Sequence, residues 1–77
     1  MIRRPERVDV SRERMEVSSQ IRKIRKSTGL TQKDVADRLG VIQQYISKIE
    51  TGHENISIDS LKRIADVLDK KLIVRLR

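Results

Sequence analysis

The sequence has no cysteine, tryptophan or phenylalanine, one tyrosine, one proline and three glycines in 77 residues. Without cysteine, neither a disulfide nor a thiolate zinc site can staple so short a chain, and the composition fits an intracellular setting. With Tyr45 as its single aromatic residue, the chain offers no platform on which unpaired bases could stack in succession. No apolar run approaches the roughly 18 residues of a membrane span, and the N-terminus lacks the apolar core of a signal peptide. A cytoplasmic location away from membranes is therefore expected. The one histidine, His53, lies beside Gly52 in a loop-like stretch, with no phosphate loop, metal-ligand spacing or nucleophile and base set around it. No enzymatic activity, cofactor, metal or small-molecule substrate is expected.

What the chain does have is positive charge. Its 18 Lys and Arg against 11 Asp and Glu give a formal net charge of +7, which favours polyanionic partners through phosphate contacts and counterion release. The charge is unevenly placed. Residues 17–30 carry Arg22, Lys23, Arg25 and Lys26 with no acid, and the tail carries Lys70, Lys71, Arg75 and Arg77, whereas residues 31–69 are net acidic. A domain of this length supplies only about 3 to 5 kcal/mol from a single core, so a homo-oligomer is a reasonable expectation.

Residues 1–10 mix charges around Pro5 without apolar periodicity and read as a flexible basic arm. A helix is expected from about Ser11, with Val17, Ile21, Ile24 and Thr28 on one face, stopped at Gly29. Thr31 and Asp34 form a variant capping box for a second helix whose inner face is Val35, Ala36 and Leu39. Gly40 then makes a turn. In the third helix Ile46 and Ile49 point inward, leaving Gln43, Gln44, Ser47 and Lys48 outward, and Gly52 ends it. Ser57 caps a fourth helix with Ile58, Leu61, Ile64, Ala65 and Leu68 on its apolar face. From Leu72 the period changes to two, with Leu72, Val74 and Leu76 opposite Ile73 and Arg75, the pattern of a strand. One strand is not stable alone, so the expected partner is the same strand of a second copy.

Two short helices joined at Gly40, spanning Leu30 to Gly52, have the shape of a helix-turn-helix, whose second helix enters the DNA major groove. The paired Gln43 and Gln44 stand in the first turn of that helix. A glutamine amide can bond adenine N6 and N7 together, worth about 1 to 3 kcal/mol of discrimination.

The IRKIRKSTGLTQ run, the Ala36 and Gly40 positions and the YISKIETG ending resemble the lambda-repressor-like (Cro/repressor, XRE-type) helix-turn-helix family, from about Val17 to Leu68. The GVIQQ segment is similar to that of the 434-type phage repressors. This resemblance implies that Gln43, Gln44 and Lys48 meet bases, that Gln32, Thr31, Ile42, Tyr45, Ser47 and Asn55 lie along the DNA backbone, and that Arg25 and Glu50 form a structural ion pair. Ile42 departs from the Ser or Thr usual at the head of the recognition helix, and Ile56 from a common Pro. The tail LDKKLIVRLR resembles HipB-like and HigA-like antitoxins, with Asp69 in place of a usual Gly. That likeness implies dimerisation through Leu72, Ile73, Val74, Arg75 and Leu76, and a cognate toxin as a further partner.

The expected protein is thus mainly α. It has a four-helix domain over residues 11–69 and a short strand within 70–77 that pairs across a homodimer bound to a palindromic double-stranded operator. The leading expectation is the antitoxin and autorepressor of a toxin-antitoxin operon. The alternatives are a restriction-modification controller, a phage-type repressor, and a protein whose main task is to sequester a toxin.

Overall fold

The computed structural model describes residues 9–76; most of the expected N-terminal arm and Arg77 lie outside that range. Four helices form: α1 (Ser11–Ser27), α2 (Gln32–Leu39), α3 (Gln43–Glu50) and α4 (Ile58–Val67).

Local chemistry accounts for most of their ends. The Asp9 carboxylate accepts the Ser11 N–H ahead of α1. Hydrogen bonds from Ser11 hold Asp9 below the usual carboxylate range. At α2 the capping box is complete, with the Asp34 N–H donating to the Thr31 hydroxyl and the Thr31 N–H donating back to the Asp34 carboxylate. That backbone bond, then the side-chain bond to Thr31, depresses the pKa of Asp34. The cap is therefore intact above the ordinary carboxylate pKa and is lost as pH falls through the lower, folded value. Ser57 caps α4 by accepting the Ser60 N–H. Gly40 closes α2 at φ 73°, a left-handed conformation that an L-residue adopts only at a cost and that turns the chain directly into α3.

The end of α4 is less usual. Lys70 N–H donates to the Ala65 carbonyl and Asp69 N–H to the Asp66 carbonyl, a complete Schellman motif. The residue at its left-handed position is not glycine but Asp69, at φ 57°. Asp69→Gly should raise stability by up to about 1 kcal/mol. Thermal unfolding reads this directly, and a lower melting temperature would show that the Asp69 side chain contributes something the backbone motif does not.

Ile21, Val35, Ala36, Ile46, Ile49, Ile64 and Leu68 form the buried core, surrounded by half-buried Val17, Ile24, Leu30, Leu39, Leu61 and Val67. Each buried Ile or Leu contributes about 1.5 to 3 kcal/mol relative to its exposed state. The small Ala36 lets α2 and α3 pack closely; α1 lies against α3, and α4 against α2.

Three expectations need correction. Thr28 is exposed, because α1 has ended and its hydroxyl turns back to the Arg25 carbonyl. Ile58, the first residue of α4, is 62% exposed, because the helix meets the core only from Leu61 onward. Finally, no strand is present among the described residues, and residues 70–76 run without helix or ladder. A strand is defined by its hydrogen-bonded neighbour, and the described residues supply none. Leu72 is half-buried, while Ile73, Val74, Arg75 and Leu76 are exposed, Leu76 by 94%. No described helix is long and apolar enough to cross a membrane.

Candidate nucleic-acid interface

The two faces of α3 have opposite jobs. Ile46, Ile49 and Glu50 are buried beneath it, so Gln43, Gln44 and Lys48 are left exposed on the far side. Ile42 precedes them as the N-cap residue, 67% exposed and without a side-chain acceptor for the first-turn amides. The head of α3 therefore presents uncapped N–H groups and the positive end of a helix dipole, beside two amide side chains that can each donate and accept.

Tyr45 and Ser47 are only half-exposed. Tyr45 packs partly inward, where it lines a notch with Leu39, Val41, Ser60, Arg63 and Ile64. The Arg63 guanidinium donates to the Leu39 carbonyl at the end of α2, tying α4 to the turn.

A buried network positions α3. The Arg25 guanidinium grips the Glu50 carboxylate with two bonds, Nε to Oε2 at 2.5 Å and Nη2 to Oε1 at 3.0 Å, and its Nη1 donates to the Leu30 carbonyl. Both side chains are almost wholly out of solvent, with Glu50 only 5% exposed. Gln32, at the start of α2, donates from Nε2 to the same Glu50 oxygen at 3.2 Å. The glutamine expected on a phosphate is thus half-buried and already held by the ion pair. Thr31 is exposed, but its hydroxyl is engaged in the capping box.

Behind α3, Gly52 sits at φ 79°, and the Met15 thioether occupies the space that a β-carbon would need there. The next loop carries Asn55, exposed, whose amide Oδ1 accepts from the Arg14 guanidinium at 2.5 Å. No sequence motif gives Arg14 a role. A signal was available, because Arg14, Ser18, Ile21 and Arg25 follow at helical intervals, and the last three are the buried residues of α1.

Arg22, Lys23 and Lys26 on α1 are exposed cations with no carboxylate within 4 Å among the described residues, whereas Lys33 and Lys62 are paired with Asp37 and Asp66. Lys33 holds its proton more tightly than usual, chiefly through its hydrogen bond to Asp37. No group of three or more His, Asp or Glu among the described residues is arranged to hold a metal.

A family model described as helix-turn-helix matches residues 21–74. An HTH-type transcriptional regulator of Sinorhizobium fredii, y4dJ, is 38% identical over 52 residues, covering 68% of this chain and 68% of that protein. Among solved structures, the restriction-modification controller protein C.AhdI from Aeromonas hydrophila superposes with a TM-score of 0.77 at 25% identity, over 83% of this chain and 93% of that one. The controller C.Esp1396I, as a tetramer in complex with its natural 35 base-pair operator, gives a TM-score of 0.70 at 38% identity, over 74% and 75% of the two chains.

Proposed function

The chain belongs to the helix-turn-helix family, and from that membership we propose that it is a DNA-binding transcriptional regulator that reads a palindromic operator as a homodimer. The observation that carries this reading is the division of α3, with Ile46, Ile49 and Glu50 buried and Gln43, Gln44 and Lys48 exposed together on the opposite side. Gln43 and Gln44 meet base edges in the major groove, and Lys48, one turn on, reaches a base edge or a phosphate. Ile42, with its uncapped amides, lies against the backbone or a thymine methyl. Thr31, Gln32, Tyr45, Ser47 and Asn55 follow the phosphates, which fix register without carrying sequence. In a two-fold dimer the two α3 helices enter successive major grooves about one duplex turn apart.

Enrichment from a randomised duplex pool tests the reading. A wild-type protein that shows no preference among sequences would overturn it. With the operator in hand, Gln44→Ala should relax base preference at one position per half-site, weakening the preferred base there by about 1 to 3 kcal/mol. A uniform loss over all sequences would place Gln44 on the backbone instead.

The apolar tail beyond α4 supports the dimer. Ile73, Val74 and Leu76 are exposed in a single chain, and pairing the tails of two copies would cover them and supply the missing ladder. The same tail, through its resemblance to HipB-like and HigA-like antitoxins, favours the autorepressor of a toxin-antitoxin operon, with a cognate toxin as protein partner. A second reading, a restriction-modification controller, is favoured by the likeness to C.AhdI and C.Esp1396I. Co-expression with the adjacent open reading frame separates them. A captured toxin supports the first, and a neighbouring endonuclease and methyltransferase pair supports the second.

A further inference from the structure

We infer that Arg14 and Asn55 form a phosphodiester clamp at the rear of the recognition helix, a contact made by the first turn of α1 together with the loop after α3 and not by the exposed face of the recognition helix. The inference rests on the DNA-binding reading above and adds a site to it.

Three observations lead to the clamp. Arg14 Nη2 donates to Asn55 Oδ1 across 41 residues of sequence. That bond fixes the orientation of an otherwise free amide: with its oxygen occupied, Asn55 keeps its Nδ2 hydrogens as donors, and they have no partner among the described residues. Second, Arg14 is half-buried yet has no carboxylate within 4 Å among the described residues. Asp9 feels its charge, Arg14 being the smallest of the causes that depress its pKa, but Asp9 is already engaged by Ser11. A guanidinium has five N–H donors, and a neutral amide oxygen satisfies one of them and none of the charge. Third, the Met15 thioether packed on Gly52 holds this end of α1 against the segment that leaves α3, so the pair moves with the recognition helix.

The local charge explains why such a contact matters. The segment 51–57 carries Glu54 and no Lys or Arg, so an approaching phosphate meets net repulsion there unless Arg14 supplies the cation. A phosphodiester oxygen accepting from Asn55 Nδ2 and from a free guanidinium N–H would satisfy both groups in one charge-assisted arrangement. The base sequence plays no part in it.

The test uses the full chain and a duplex enriched by the wild-type protein, with affinity measured over a series of salt concentrations. Arg14→Gln should weaken binding to that duplex and to an unrelated one alike, by about tenfold at low salt. The slope of log K against log[salt] should become shallower by about one per half-site. Arg14→Lys should restore the slope, because charge alone sets it, while recovering only part of the affinity. Asn55→Asp, which puts a carboxylate where the donors were, should weaken both duplexes further.

A mere brace between α1 and the loop gives a different result. Arg14→Gln would then lower the melting temperature and the affinity with the salt slope unchanged, and that overturns the clamp, as does an Arg14→Gln protein identical to wild type in both affinity and slope. If the wild-type protein binds duplex DNA but enriches no sequence, the operator reading fails, while the slope comparison on mixed duplex still decides the clamp. If it binds no duplex, both fall.

Discussion

Glu50→Ala should abolish most of the folded population, costing about 3 to 5 kcal/mol, because Arg25 would be left as an uncompensated charge in the core. The whole stability of a domain this small is of the same order. The size of the effect comes from how little solvent either group sees and from how many bonds depend on the carboxylate: two from Arg25 and one from Gln32. Denaturant unfolding followed by circular dichroism reads the loss. The pair itself need not be a net source of stability, since removing both charges from water has a cost comparable to the attraction regained. Replacing both partners by apolar residues of similar volume, Arg25→Met with Glu50→Leu, should therefore restore most of what Glu50→Ala loses, although Gln32 and the Leu30 carbonyl would still lose their partners. A Glu50→Ala protein melting within a few degrees of wild type would show that water reaches the site and screens Arg25.

Ending the chain at Lys71 should leave the four helices folded and remove the dimer proposed above. The last hydrogen bond of the Schellman motif is made by the Lys70 N–H, so nothing that terminates α4 is lost. What disappears is residues 72–77, namely Leu72, the exposed Ile73, Val74, Arg75 and Leu76, and Arg77. Sedimentation should then give a monomer with unchanged helicity. Operator affinity should fall by about 10²- to 10⁴-fold, because two linked half-site contacts become independent ones. A shortened chain that still sediments as a dimer would place the interface elsewhere, and Ile58, exposed at the start of α4, would be the first residue to substitute.

The helix limits could be read in the sequence because they depend on neighbours: Thr31 with Asp34, Ser57 with Ser60, Gly40 at its turn. The buried pattern of α2 and α3 could be read for the same reason, since periodicity is local. Ile58 defeated it because a helix that fits the apolar period can still begin outside the core. The tail defeated it differently. Alternation from Leu72 to Leu76 specifies a strand only when a neighbour completes the ladder, and none is present among the described residues. The contacts between distant residues, Arg14 with Asn55 and Gln32 with Glu50, depend on how α1 and α2 lie against α3, which no short window of sequence contains.

Glu50 touches α1 through Arg25 and α2 through Gln32 while itself ending α3. A long polar side chain that must be immobilised on association costs about 0.5 to 1.5 kcal/mol in lost rotamer freedom. At Gln32 much of that freedom has been surrendered during folding to the bond with Glu50, so on the DNA-binding reading proposed above a phosphate contact there would cost little more. Glu50 thus links three helix ends, and on the same proposed reading the entropy of docking would fall mainly on the exposed Gln43, Gln44 and Lys48.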